Sequence, residues 1–187
     1  MRIEVNIVEE AGYTSALKGL SFNKKQNKDM RNVALILCSK DNGHNKFLES
    51  IYMWVEVNAP RYWWQEADTY RIGNSKQSES TMHTLIKDLE PEELEDALRV
   101  RELFEDEVSD TVINEFFDLF NNNKDDLVKI KANLPEGFMQ KRMWCLNYKT
   151  MRNIIRQRKN HRLPHWKKFI QEILKQSEHA EFFVDIM

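Results

Sequence analysis

Lys131-Ala132-Asn133-Leu134-Pro135, followed by Trp144-Cys145-Leu146-Asn147-Tyr148-Lys149-Thr150-Met151-Arg152-Asn153-Ile154-Ile155-Arg156-Gln157-Arg158, is the stretch on which the reading of this chain turns. It falls largely in a segment, Lys141 to Gln176, whose apolar residues recur at helical spacing and which is interrupted at Pro164. Asn153 and Arg158 stand five apart on that expected helix, near enough in angle to address one ligand. An asparagine amide offers both donor and acceptor to a heterocycle edge, while lysine and arginine supply charge for a phosphate or a carbonyl oxygen. Taken alone, Asn147 and Asn153 read as capping or helix-surface amides before they read as ligand contacts.

Outward from this stretch, the chain mixes strands and helices without strict alternation, which points to an α+β fold with a small sheet and long helices. Arg2 to Val8 alternates polar and apolar residues, the pattern of a half-buried strand. Tyr13 to Lys25 and Arg31 to Ser39 carry helical periodicity, and Asp41-Asn42-Gly43 reads as a turn. Ile51 to Val57 is β-branched and aromatic, as in a central strand, and Asn58-Ala59-Pro60 ends it. A long helix is expected from Glu92 to Asn121, with an apolar stripe of Leu94, Leu98, Phe104, Val108, Ile113, Phe116 and Phe120. Asp88 and the glutamates after it suit the start of that helix. Repeats, low-complexity tracts and linkers are lacking, so residues 1–187 are expected to form a single domain.

Composition narrows the function. The chain has 187 residues, 41% hydrophobic and 31% charged, with a net charge of −2, which gives no bulk attraction to nucleic acid or membrane. No apolar run approaches the roughly 20 residues that span a bilayer, and the first ten residues lack the apolar centre of a signal peptide. Cys38 and Cys145 sit far apart in apolar settings and read as buried reduced thiols, so the expected setting is cytoplasmic.

Most catalytic signatures are missing: a glycine-rich phosphate loop, His-Glu-x-x-His, Cys-x-x-Cys and Gly-x-Ser-x-Gly are all absent. No catalytic residue stands out. His161 and His165 have the four-residue spacing of a metal pair, but Pro164 lies between them and no third ligand is near, so no metal is expected. The aromatic run Arg61-Tyr62-Trp63-Trp64, with Tyr52 and Trp54, suits either a core or a stacking surface. The basic cluster Arg142, Lys149, Arg152, Arg156, Arg158 and Arg162 reads as a solvated face or, alternatively, as a phosphate-binding wall.

Three segments together resemble the flavin-dependent thymidylate synthases. The opening stretch matches that family's Arg-x-x-Leu-Pro and its Trp-x-x-Asn-x-Arg-x-x-x-Asn-x-x-x-x-Arg without a gap, with lysine at Lys131 and Lys149 in place of arginine. Gly43-His44-Asn45-Lys46-Phe47-Leu48-Glu49-Ser50 resembles Gly-His-x-Ser-x-x-Glu-His. Here Lys46 replaces the serine and Ser50 the second histidine. Thr69-Tyr70-Arg71-Ile72-Gly73-Asn74-Ser75-Lys76-Gln77-Ser78 occupies the place of Arg-His-Arg-x-x-Ser-x-Asn-x-x-Ser-x-Arg. Of that signature Arg71 and Ser78 are kept, Thr69 and Tyr70 replace the leading Arg-His pair, and Ser80 stands where the final arginine belongs.

The resemblance implies a homotetramer that binds FAD and a pyrimidine deoxynucleotide of the dUMP type. It also implies methylation of that nucleotide with methylenetetrahydrofolate as carbon donor and NADPH as reductant. Arg71, Asn147, Lys149 and Asn153 would then contact the flavin, and Ser78, Lys131 and Arg158 the nucleotide. Loss of the Arg-His pair and of the final phosphate arginine leaves alternatives open. These are an inactive or repurposed nucleotide-binding protein, a related pyrimidine-modifying enzyme, or a purely structural tetramer.

Overall fold

The computed structural model describes residues 1–23, 29–40, 43–81, 84–89 and 100–184. Among the described residues the strands are β1 (Glu4–Ala11), β2 (Tyr52–Pro60), β3 (Asn74–Ser78) and β4 (Met139–Asn147). They form one sheet in the order β1-β2-β4-β3. Tyr148 donates its amide to Ile51 O at 2.8 Å, while Arg61 donates to Phe138 O at 3.0 Å, so the start of β2 faces the end of β4 and the pair is antiparallel. The helices are α1 (Tyr13–Phe22), α2 (Arg31–Cys38), α3 (Arg61–Ala67), α4 (Leu85–Leu89), α5 (Asp110–Asn121), α6 (Leu127–Asn133), α7 (Tyr148–Arg158) and α8 (Pro164–Gln176). Short 3₁₀ turns lie at Lys46–Ser50 and Ala180–Phe182. This is the expected α+β class with a small sheet.

The β-branched run legible in the sequence is the most buried strand. Met53, Val55, Val57 and Ala59 are fully buried, while Tyr52, Trp54, Glu56 and Asn58 on the other face are at least partly exposed. Pro60 closes β2 and directly precedes α3, where an extended backbone suits a proline.

Two expectations are corrected. Residues 141–147, expected as the first turns of a helix, belong to the strand Met139–Asn147: Trp144 and Leu146 are fully buried and Asn147 caps α7. Methionine, lysine, arginine and leucine favour helix, but pairing in the sheet overrides that weak preference. The helix expected from Glu92 to Asn121 is interrupted. Phe104 makes an isolated bridge with Phe138, and Glu107 donates its amide to the Glu105 carboxylate at 2.8 Å. Ser109 then caps a new helix, α5, by accepting from Val112 N. Residues 90–99, including Leu94 and Leu98, lie outside the described residues, and position 88 falls inside α4. Helix α1 ends at Phe22, so Lys24 and Lys25 of the expected helix lie outside the described residues, as do Asp41 and Asn42 of the expected turn. The break at Pro164 is borne out: it is the first residue of α8, where its missing N–H costs nothing.

The chain divides into two compact units. One comprises Met1–Glu4, Asn58–Thr69 and Ser78–Arg142. Its core is Leu85, Leu89, Phe104, Ile113, Phe116, Phe120, Ile130, Leu134 and Phe138. The Phe104 ring meets Phe116, Phe117 and Phe138 edge-on at 5.6–6.3 Å between centroids. The other unit comprises Val5–Val57, Tyr70–Gln77 and Met143–Met187. There α7 buries Met151, Ile154 and Ile155, and α8 buries Trp166, Phe169, Ile170 and Ile173. Trp144 stacks on Phe169 at 5.9 Å. Burying side chains of this size contributes about 1.5–3 kcal/mol each, and this core fixes the face of α7 that carries the candidate site.

Among the described residues, no helix is long and apolar enough to cross a membrane. Cys38 is buried and Cys145 partly buried, and both are free thiols.

Candidate functional site

Within the second unit, the first motif segment and residues 70–77 of the second meet residues 144–158 of the third around α7. At its start, Asn147 has an extended backbone and its side-chain oxygen accepts from Thr150 N at 2.9 Å, an N-cap. The Asn147 amide nitrogen of the backbone donates to Gly73 O at 3.0 Å. Thr150 Oγ1 donates to Ile72 O at 3.0 Å. Gly73 has φ +68°, and a Cβ there would meet Asn147 Nδ2 and Thr150 Oγ1 at 2.6 Å each, so only glycine fits this close approach. The second motif is therefore clamped to the third through Gly73, and the Asn147 carboxamide oxygen is engaged in capping.

The turn before β3 is braced further. Asn74 Nδ2 donates to Tyr70 O and Ile72 O, both at 3.2 Å, and Lys76 Nζ donates to Tyr70 O at 3.1 Å. Lys76 also stands over the buried Trp144 ring, 4.7 Å from its centroid, and Trp144 Nε1 donates to Asn74 Oδ1 at 3.0 Å.

At the other end of α7, Arg158 Nε donates to the Tyr70 hydroxyl at 2.9 Å. Its guanidinium carbon lies 4.9 Å from the Trp166 ring centroid and 5.5 Å from that of Tyr70. Tyr70 in turn donates to Gln157 Oε1 at 3.0 Å. The first motif joins through Lys149, whose ammonium pairs with the Glu49 carboxylate. Asn153 and Arg71 are exposed. Five residues at about 100° each set Asn153 and Arg158 about 140° apart on the helix, wider than the sequence reading took.

Ser78 and Lys131 belong to the first unit. Ser78 is exposed at the end of β3, and Lys131 is half-buried in the last turn of α6. There the Leu134 carbonyl that follows Lys131 accepts from Arg61 Nη1 at 3.0 Å.

Several basic and aromatic candidates prove structural. Arg152 is buried and donates to Phe182 O at 2.8 Å and Val184 O at 3.1 Å, which removes it from any phosphate wall. Arg142 makes two 3.0 Å bonds to the Asp68 carboxylate and stacks over Trp64. Trp63 and Trp64 are fully buried, so they are core rather than a stacking surface. His161 Nδ1 accepts from Leu163 N at 3.1 Å, and among the described residues no cluster of three or more His, Cys, Asp or Glu side chains is arranged to hold a metal.

Residues that sequence reasoning passed over are Tyr70, Gly73, Thr150 and Trp166. Gly73 carried a signal, a lone glycine in a Gly/Asn/Ser turn. Tyr70 was noted only as a replacement, because its partner Arg158 is 88 positions away.

The family model Thy1, described as thymidylate synthase complementing protein, matches residues 5–180. No curated protein matches the chain. Among solved structures, it is similar to flavin-dependent thymidylate synthase ThyX from Helicobacter pylori complexed with FAD and dUMP. That match has a TM-score of 0.81 and 16% identity, and covers 97% of this chain and 98% of the other. A second Helicobacter pylori thymidylate synthase X structure with FAD and dUMP matches with a TM-score of 0.78 and 16% identity, covering 97% of each chain. With residues 5–180 matched by the family model, the chain belongs to the thymidylate synthase complementing protein family.

Proposed function

We propose that this chain binds FAD and a pyrimidine deoxynucleotide of the dUMP type around α7, and acts as a thymidylate synthase of the flavin-dependent kind. The observation that carries the reading is the convergence of residues from the first and second motif segments on α7: Gly73 against Asn147 and Thr150, Glu49 against Lys149, and Tyr70 against Arg158. Family membership and the FAD and dUMP held by the two similar structures support it.

The donor set fits such ligands. Arg158 and Arg71 are guanidiniums, Lys149 an ammonium and Asn153 an exposed amide, the groups that meet phosphate and heterocycle oxygens. Lys149, Asn153 and Arg71 are assigned to the flavin and Arg158 to the nucleotide, and the resemblance to the family pattern likewise assigns Ser78 and Lys131 to nucleotide contact. Asn147 fixes the helix start, and its cap keeps the neighbouring donors in register. A bound flavin supplies the electrons for methyl transfer from methylenetetrahydrofolate, with NADPH as the reductant. The chain contributes orientation and charge: Arg158 holds the pyrimidine, and the cations hold phosphate. The family model spans residues of both units, which supports treating residues 1–187 as one functional domain. A homotetrameric assembly and a cytoplasmic setting belong to the same proposal.

A second reading, a nucleotide-binding protein without turnover, is favoured by one observation. Thr69 and Tyr70 stand where the family signature has Arg-His, and Ser80 where it has its final, phosphate-holding arginine, so that cation is replaced by an uncharged hydroxyl. Purification tests both: a yellow protein with flavin absorbance and dUMP-dependent oxidation of NADPH supports the synthase. Binding of FAD and dUMP without turnover supports the second reading, and binding of neither overturns both.

A further inference from the structure

We propose that Tyr70 is a positioning residue that sets the orientation of the Arg158 guanidinium and so presents it to the pyrimidine nucleotide, an inference that rests on the reading of Arg158 given above. A tyrosine hydroxyl both donates and accepts. Here its proton goes to Gln157 Oε1 at 3.0 Å, which turns the oxygen lone pairs toward Arg158 Nε at 2.9 Å. Arg158 is thus held at Nε by the hydroxyl and beside two rings, with its guanidinium carbon 4.9 Å from the Trp166 centroid and 5.5 Å from that of Tyr70. The two rings meet edge to face at 6.2 Å, so each braces the other.

The hydroxyl itself is anchored. The Tyr70 carbonyl accepts from Lys76 Nζ at 3.1 Å and Asn74 Nδ2 at 3.2 Å, which fixes the turn that carries the ring. Trp166 is fully buried and packs on Phe169 at 5.8 Å, so the indole is a rigid wall. An arginine on an exposed helix end samples many rotamers, and ordering it on binding reduces affinity. Tyr70 removes that freedom beforehand. Its place in the signature is where the family pattern has histidine, so the hold on Arg158 through a phenol is a feature of this chain's own sequence.

Tyr70→Phe tests the inference, since it keeps the ring and removes the acceptor. Two measurements are made on the FAD-loaded full chain: dUMP affinity by calorimetry, and the Arg158 Nε–H signal by ¹⁵N NMR, assigned by its disappearance in Arg158→Ala. In the wild type that proton exchanges slowly. In Tyr70→Phe it is expected to shift and exchange fast, with dUMP bound roughly tenfold more weakly, as for loss of one hydrogen bond to a charged group, and with the melting temperature unchanged. Affinity within twofold of wild type, or an unchanged Nε–H signal, overturns the proposal. A wild-type protein that fails to bind dUMP, or Arg158→Ala that binds it normally, overturns the site reading instead. The Nε–H signal then still decides, without any ligand, whether Tyr70 holds Arg158.

Discussion

The carbonyl of Gly73 accepts the Asn147 amide at 3.0 Å, and a Cβ on Gly73 would stand 2.6 Å from Asn147 Nδ2. This single contact joins the turn after Tyr70 to the first residue before α7, and so places two motif segments at one end of one helix. Gly73→Ala meets both the side-chain clash and a left-handed backbone at φ +68°. The expected loss is about 1–3 kcal/mol, read by urea denaturation. An alanine variant as stable as wild type would contradict the close packing described.

Asn147 serves as a cap, and its substitutions separate that role from ligand contact. Asn147→Ala is expected to cost about 1 kcal/mol through the lost bond to Thr150 N. Asn147→Asp keeps the acceptor and should retain most of that stability. If Asn147→Asp retains stability yet loses FAD, the carboxamide nitrogen has a second role toward the cofactor. If FAD affinity follows stability across both variants, the cap is its whole contribution.

Arg152→Ala is expected to be among the most destabilising changes in the basic cluster. The side chain is 2% exposed and serves the carbonyls of Phe182 and Val184 at the C-terminal turn. Loss of the bond to Phe182 O leaves a buried acceptor unpaired, at about 1–3 kcal/mol. The exposed Arg156 should tolerate alanine with a change of about 0.5 kcal/mol or less. Equal effects of the two variants on thermal unfolding would contradict this division of the cluster.

The protein should lose stability as pH rises through the alkaline range. Burial pushes the Cys38 thiol up to about 12, and burial also raises Tyr62 to about 12 and lifts Tyr148 well above the ordinary phenol range. Above the ordinary thiol value near 9, the unfolded chain holds fewer protons than the folded one, so stability present below that pH is lost as pH rises toward 12. Melting temperatures measured from pH 8 to pH 11 should fall steadily, and Cys38→Ala should flatten the slope between about pH 9 and 11. A flat wild-type profile would rule out buried neutral thiol and phenol groups as the cause.

The exposed pair Lys149–Glu49 illustrates how little a surface contact stabilises. With side chains 37% and 53% exposed, it should contribute about 0–1 kcal/mol. Glu49→Gln is therefore expected to leave the melting temperature nearly unchanged while strengthening FAD binding, because the Lys149 ammonium loses its competitor. Weaker FAD binding in Glu49→Gln would argue that Glu49 orients Lys149 rather than competing for it.

The parts of the fold that were legible in the sequence are those whose local pattern and tertiary role agree. Ile51 to Val57 is β-branched and buried on alternate residues, and Pro164 starts a helix as proline does. Met139 to Asn147 was read in part as helix because its methionines, leucine and cations favour that state, whereas its partners are strands far away in sequence. The helix expected through Glu92–Asn121 was interrupted at Phe104 by pairing with Phe138, a contact that no local periodicity encodes. At the site, Lys149, Asn153 and Arg158 were visible through the resemblance of the third segment, and Asn153 and Arg158 also through their place on one helix. Tyr70 and Trp166 were not, because their meaning lies in packing on a residue from another segment.

The account stands most directly on Arg158 as the residue that holds the pyrimidine nucleotide. Calorimetric titration of dUMP into FAD-loaded wild type and Arg158→Ala measures this, with circular dichroism to establish that both are folded. The account predicts binding by the wild type and a loss of about a hundredfold or more in the variant, the scale of a removed charge-assisted contact. Equal dUMP affinity in the two folded proteins would contradict it.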